Sequence, residues 1–454
     1  MKFNQLTGLV VLSILASGSV KAAVSADEAK KLGTSLTFVG AEAAGNKEGT
    51  IPAYTGGLTT APAGYKAGGE RINPFAAEKP VVVINGGNMA QHADKLTEGT
   101  KGLLKKYPDY KVNVFPTHRT AAWGYGKFLA DNTVKNALNG KTNADGSTLE
   151  GVFGGIPYPI PKTGVEVMWN HLVRPTYTSA LIEIQTWTID TAGKASIASG
   201  GSYLKENSFY FPSNAGLPVE QLFQSKARKL NDEPPRSAGT GTLVIDGLNP
   251  LTNPRRAWSY FPGQRRVRAA PDVAFDTPVD AASNYDDIQL FNGSLEKYDW
   301  KLVGKKEMYV PYSNYELTFK AKPEEALLPK FVNPDLVRFE LHRTWVVEAS
   351  VKSNQRQVYA KRVFYIDEDT WTILATDIYD AAGRLWRNGF AFQTQVYDLG
   401  FPFGEAYNVT DLISGAYGMG SWAGGRKNGY NIRVMQPQSA KEWQPDALSG
   451  ASLR

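Results

Sequence analysis

Four histidines, His92, His118, His171 and His342, are the first residues to weigh for chemistry. None stands in an H-x-x-x-H pair or an H-E-x-x-H run, the spacings that place two imidazoles on one helix face for a metal. His118 and His342 each precede Arg-Thr, and His171 follows Trp169 in an apolar stretch. They read as structural histidines, and no metal or cofactor is expected. The chain has no cysteine, which excludes a thiolate nucleophile, a thiolate metal site, a disulfide and a lipid-modified Cys. Neither a G-x-S-x-G elbow nor a P-loop occurs. Gly418-Met419-Gly420-Ser421-Trp422-Ala423 mimics a dinucleotide fingerprint, but Gly424-Gly425-Arg426-Lys427 follows instead of a helix, so it reads as a glycine loop. Asp367-Glu368-Asp369 falls between two strand patterns as a hairpin tip, without the oxygen-ligand spacing of a calcium loop. Asp286-Asp287 reads as the start of a short helix through Ile288, Leu290 and Phe291. No local motif joins nucleophile, base and oxyanion donors, so binding without catalysis is the expectation.

Two residue sets suit binding. Arg255, Arg256, Arg265, Arg266 and Arg268 crowd fourteen residues around the Pro262-Gly263 turn, with Trp258 and Tyr260 between them. They read either as a solvated hairpin or as a rim for an anionic head group, for which Arg265, Arg266 and Arg268 are the candidates. The large aromatics Trp169, Trp187, Trp258, Tyr260, Trp300, Trp345, Tyr365 and Trp371 suit the core of a large sheet or the wall of an apolar cavity. The cavity candidates among them are Trp187, Trp258, Tyr260, Trp345, Tyr365 and Trp371.

Elements must position these residues. Period-two alternation runs through Ile182–Ile189 and, from Trp345, through segments over 358–367, 371–380 and 385–397, joined by short polar connections. Such spacing predicts an antiparallel meander. Val363-Phe364-Tyr365-Ile366 is apolar on both faces, so its second face must meet a helix, an arm or a ligand. Thr163-Gly164-Val165-Glu166 is a capping box. Val165, Met168, Trp169, Leu172 and Val173 then make one apolar stripe that ends before Pro175. Thr97 caps a short helix stopped at Pro108, Phe128–Leu138 is a further helix, and Val81–Ile84 is a strand. Residues 23–110 read as an extended, turn-rich arm with short helices, and 111–454 as the sheet domain.

The chain has 454 residues, of which 42% are hydrophobic, enough for a sizeable core, and it has no apolar run of membrane-helix length. Met1-Lys2, the apolar Leu6–Ala16 and the small residues through Ala22 form a signal peptide over 1–22, which sends the mature chain to the periplasm. Lys and Arg number 50 against 44 acidic residues, with no dense basic block, so nucleic acid is not an expected partner.

NVFPTHRTAAW (113–123), GGIPYPIPKTGVEVMWNHLVR (154–174), KYDWKLVGKKEMYVPY (297–312), LVRFELHRTWVVEA (336–349) and YAKRVFYIDEDTW (359–371) together resemble domain-of-unknown-function family 1329 of Gram-negative bacteria. One departure is Gly124 after Trp123, where the family pattern usually has Pro. The family is similar to the outer-membrane lipoprotein carriers. The resemblance implies a mainly β (α+β) fold: a strongly curved antiparallel sheet, an incomplete barrel closed by helices over an apolar cavity. It also implies a periplasmic, non-enzymatic carrier of a lipid or other hydrophobic molecule. Its implied partners are an exporter of the resistance-nodulation type and an outer-membrane barrel. No catalytic or ligand residues come with the family. An outer-membrane β protein and a periplasmic hydrolase of lipid or polymer are the alternatives.

Overall fold

Alternating apolar residues give each segment one face to bury, and short turns between segments make sequence neighbours pair. In the computed structural model, which describes residues 24–270, 276–355, 357–426 and 432–451, sixteen such strands form one sheet. In chain order the strands are β1 (Val82–Ile84), β2 (Val112–Val114), β3 (Ser179–Ile189), β4 (Ala195–Glu206), β5 (Phe223–Glu233), β6 (Gly241–Gly247), β7 (Arg256–Phe261), β8 (Arg266–Ala269) and β9 (Tyr298–Pro311). β10 (Phe339–Val351), β11 (Lys361–Asp367), β12 (Ile373–Tyr379), β13 (Leu385–Ala391), β14 (Thr394–Val396), β15 (Phe401–Phe403), β16 (Tyr407–Asp411), β17 (Tyr417–Trp422) and β18 (Arg433–Val434) complete them. The lateral order is β1-β2-β10-β11-β12-β13-β16-β17-β3-β4-β5-β6-β7-β8, with β9 on β10 and β18 on β3, while β14 and β15 pair separately. All contacts are antiparallel except the single bridge of β2 to β10. The predicted meander is β10 to β13. The last segment ends at Ala391 rather than Tyr397, because Thr394–Val396 turns away to pair with Phe401–Phe403.

The two ends of this order, β1 and β8, do not meet, so the sheet is open and no barrel closes. It is nevertheless curled. From β6 to β11 the order counts eight lateral steps, which in a flat sheet span about 38 Å. One short segment bridges that distance. Asp246 on β6 holds Arg255, which donates to the Asn292 carbonyl at 3.2 Å. The Asn292 N–H reaches the Asp286 carbonyl at 2.9 Å, and Asp286 and Asp287 hold Arg362 on β11. The two halves of the sheet therefore face each other across residues 279–296.

Six short helices decorate the sheet: α1 (Ala26–Ala29), α2 (Glu98–Lys106), α3 (Gly126–Asn139), α4 (Gly164–Leu172), α5 (Pro323–Ala326) and α6 (Ala447–Ala451). α4 is the predicted helix. The Thr163 hydroxyl accepts from the Glu166 N–H at 3.3 Å, but the Glu166 carboxylate reaches back to the Lys162 N–H rather than to Thr163. Thr163→Ala should therefore lower stability by about 1 kcal/mol, read as a shift of the urea midpoint. On one face of β11, Phe364 and Ile366 pack in a cluster with Val165, Met168 and Trp169 of α4. On the other, Val363 and Tyr365 pack with Leu103, Leu104 and Tyr107 at α2. The two-faced apolar strand is thus covered by protein on both sides, and its second face needs no ligand. The residues before β1 lie along the sheet as turns, held where the Trp371 indole donates to the Val39 carbonyl and where Arg71 pairs with Asp398. The signal peptide over 1–22 lies outside the described residues. Among the described residues, no helix is long and apolar enough to cross a membrane.

Candidate functional site: a cleft on the inner face of β3 to β7

Alternation decides which side chains of β3 to β7 face the bridging segment. Ile184 and Thr186 of β3 point inward, as do Tyr203 and Lys205 of β4. β5 adds Ser225, Ala227, Lys229 and Asn231, and β6 adds Thr242, Val244 and Asp246. Opposite them stand Val279, Tyr285, Ile288 and Gln289, with Tyr407 of β16 at one side. Together they enclose a cavity of about 270 Å³. A second cavity of about 340 Å³ adjoins it through Asp246 and Asn292 and runs outward past Trp169, Arg255, Ala257 and Ala270. A narrow polar gap of about 30 Å³ at Arg174, Lys205 and Gln289 links the two. Volumes of this order suit a small organic ligand, for which pockets are roughly 300–1,000 Å³.

The cleft is half polar. Val244, Ala227, Ile184, Val279 and Ile288 supply apolar surface, while three phenols, two amines, the Asp246 carboxylate and several hydroxyls and amides supply polar surface. Burial pushes the Tyr203 and Tyr407 phenols well above their ordinary range, and that of Tyr285 to about 12, so all three are neutral donors. Burial pulls both Lys205 and Lys229 down, Lys229 to about 8. Lys205 is balanced by the buried Glu405 at 3.5 Å, which also accepts from the Tyr177 phenol and the Gln289 amide. Among the described residues, Lys229 hydrogen-bonds the Ser199 hydroxyl at 2.6 Å and no carboxylate.

None of the cavity candidates Trp187, Trp258, Tyr260, Trp345, Tyr365 and Trp371 lines these cavities. Register turns these six elsewhere, and the aromatic residues on the walls of the two larger cavities are Trp169, Tyr203, Tyr285 and Tyr407. Trp258 pairs with Leu243 and Tyr260 with Gly241, so both point to the opposite face from Thr242 and Val244. There they pack with Trp443 and Leu448. Trp187 is turned away from Ile184 and Thr186 and hydrogen-bonds the Gln185 amide. Trp345 stacks on the fully buried Trp371 with ring centres 6.3 Å apart, and the Tyr365 phenol donates to Asp377 at 3.0 Å. The hairpin arginines are better placed. Ser259 pairs with Arg268 and Phe261 with Arg266, which puts both arginines on the face that carries Ala257 into the outer cavity. Arg265 occupies the left-handed turn position at the tip, and the three guanidiniums make no ion pair among the described residues. Tyr203, Lys205, Lys229, Tyr285, Gln289, Asn292 and Tyr407 escaped the sequence reading. The signal was an alternation of small and polar residues in β4 and β5 without a hydrophobic face.

The remaining polar groups are structural. The acidic triplet lies at the β11–β12 connection, and Asp367, Glu368 and Asp369 are all nearly fully buried there. The two His-Arg-Thr triplets converge on it. Arg119 grips Asp369 through two bonds of 2.9 and 2.6 Å, Arg343 and Lys305 hold Glu368, and His342 lies 3.5 Å from Asp367. His342, Asp367 and Asp369 place ligand-type atoms within 4.8 Å of one another. A cation there would have to displace the Arg119 guanidinium and the imidazolium proton, so the donor set fits an ion-pair network better than a metal. Asp286 and Asp287 do not simply open a helix; they clamp the fully buried Arg362. His171 is fully buried against the Trp371 and Phe291 carbonyls, and burial holds it neutral. Gly418 and Gly420 lie within β17 rather than in a loop, where Asp280 and Tyr407 pack directly on their backbone.

Fold and cleft define an open antiparallel sheet curled around an internal, half-polar cavity. The chain belongs to the family described as "Protein of unknown function (DUF1329)", whose model matches residues 83–449. It is 40% identical over 453 residues to an uncharacterized protein of Pseudomonas aeruginosa, covering 99% of this chain and 98% of that one. Among solved structures it is similar to a putative outer membrane lipoprotein-sorting protein domain from Vibrio parahaemolyticus, at 15% identity and TM-score 0.43, over 63% of this chain and 98% of that one. It is also similar to a DUF1329 family protein from Desulfovibrio piger, at 17% identity and TM-score 0.41, over 62% and 95%.

Proposed function

We propose that the protein is a periplasmic, non-enzymatic binder that carries a lipid-like molecule to or from the outer membrane. The observation that supports this reading is the cleft itself, a pair of adjoining cavities of about 270 and 340 Å³ between β3–β7 and residues 279–296. An apolar chain gains roughly 0.8 kcal/mol per buried methylene, so a cleft of this size holds a chain firmly until a partner offers an equal surface. The reading contains no chemical step. Two buried carboxylates at the cleft are held in ion pairs, Glu405 with Lys205 and Asp246 with Arg255.

The test is saturable binding of a fluorescent fatty-acid probe to the purified protein, with Ala227→Trp as the blocking variant. Ala227 lies on the cavity wall in mid-strand. An indole there fills the space, and probe affinity should fall at least tenfold while the circular dichroism spectrum is unchanged. Absence of saturable binding to the parent protein sinks the carrier reading.

A further inference from the structure

The inner cavity contains a charge without a counter-charge. Lys205 has Glu405, and Asp246 is held by Arg255 at 2.5 Å. Asp232, which also acts on Lys229, is itself held by Arg426 at 2.7 Å. Lys229 alone projects from mid-strand into the cavity with a neutral hydroxyl as its hydrogen-bond partner. A half-buried ammonium in that position is costly unless an anion reaches it. Thr242 on the neighbouring strand and the neutral phenols of Tyr203 and Tyr285 provide donors on the same cavity.

We infer that the cleft binds its ligand by an anionic oxygen head group against the Lys229 ammonium, so that the cargo is an amphiphile ending in a carboxylate or a phosphate. This rests on the reading of the cleft as a ligand site. The head group sits deep, in the inner cavity, and the chain runs past Asn292 into the outer cavity toward Ala257 and Ala270. Arg268 and Arg266 follow on the same face, two and four residues before Ala270 in the chain, and draw the anion in from the hairpin tip.

The anion is expected to take up a proton on Lys229 when it binds, because burial has pulled that ammonium down to about 8 in the free protein. The groups that face or act on Lys229 are Lys205 and Tyr203 from β4, Asp232 from β5, Asp246 from β6, Tyr285 from the bridging segment and Tyr407 from β16. The phenols remain neutral as the amine titrates.

The experiment is displacement of a fluorescent fatty-acid probe by palmitate, monododecyl phosphate and neutral hexadecanol, each at pH 7 and pH 9.5. The anions should bind roughly tenfold more tightly at pH 7, with no pH step for hexadecanol. Lys229→Arg should keep the affinity at pH 7 and lose the step, because a guanidinium does not titrate. Lys229→Met should weaken the anions roughly tenfold and leave hexadecanol unchanged. Palmitate and the alkyl phosphate separate the two head-group sources by which of them binds more tightly. Equal, pH-independent binding of palmitate and hexadecanol overturns the anion inference but leaves the carrier reading standing, as does a pH step that survives in Lys229→Arg. Binding of none of the three sinks both.

Discussion

Replacing Arg362 by Met is expected to lower folding stability by about 3–5 kcal/mol, the cost of leaving buried carboxylates without their cation. Arg362 is fully buried on β11 and ties Asp287 at 2.9 Å, Asp286 at 3.4 Å and the Leu290 carbonyl at 2.6 Å. Burial already pushes the Asp286 carboxyl up to about 6 despite the guanidinium beside it. Without Arg362 both acids face low-dielectric surroundings with neutral donors alone, the Tyr298 phenol and Gln357 amide on Asp286 and the Tyr359 phenol and Asn284 N–H on Asp287. The urea midpoint should fall with little change in slope. Arg362→Met with Asp287→Asn should recover part of the loss, since one charge of the broken cluster is gone. A single variant that unfolds at the parent midpoint shows that the curl is held elsewhere.

The second large effect is a loss of stability in mild alkali. His342 is fully buried, and burial opposes its charge, but hydrogen bonds and attraction from Asp367 and Glu340 outweigh that and raise the imidazolium to about 9. An unfolded histidine titrates near 6.5. The charged histidine therefore contributes fully below about pH 6.5, and the contribution is lost as pH rises through about 9. The shift corresponds to roughly 3 kcal/mol. His342→Gln should be less stable than the parent at pH 6 by about that amount, and the gap should close by pH 10. A gap that stays constant across this window shows that the imidazole acts by packing against Tyr312 alone, whose ring it stacks on at 3.9 Å.

The strands and helices that carry a strong period were legible. α4, with its Thr163 cap and apolar stripe, and the meander from β10 to β13 stand where the sequence puts them. Faces were not legible, because alternation shows that two faces differ but not which one meets the interior. Trp258 and Tyr260 illustrate this: the same period that places them on a strand turns them from the cleft toward Trp443. Lys229 and Tyr203 carried no signal of their own. Their meaning comes from a segment about 60 to 80 residues further along the chain, folded onto the strand face. The acidic triplet at 367–369 does join two strands, but its burial was not legible, because the arginines and the lysine that cover it come from 119, 343 and 305, at separations no local pattern reaches.

An open sheet leaves strand edges that a closed barrel would not, and unpaired edges invite other chains to extend them. Among the described strands the edges include the three-residue β1, β8 and β9. β8 is four residues long and carries Arg266 and Arg268, with Arg265 just before it. β9 is fourteen residues long and pairs only with β10 among the described strands. Val303 bulges from it opposite Val346 and Val347, Lys301, Lys305 and Lys306 line it, and Pro311 ends it. A charge, a bulge and a proline each spoil the flat ladder that a second copy would need. The basic hairpin therefore works against strand-by-strand pairing at one of the edges that the open sheet leaves.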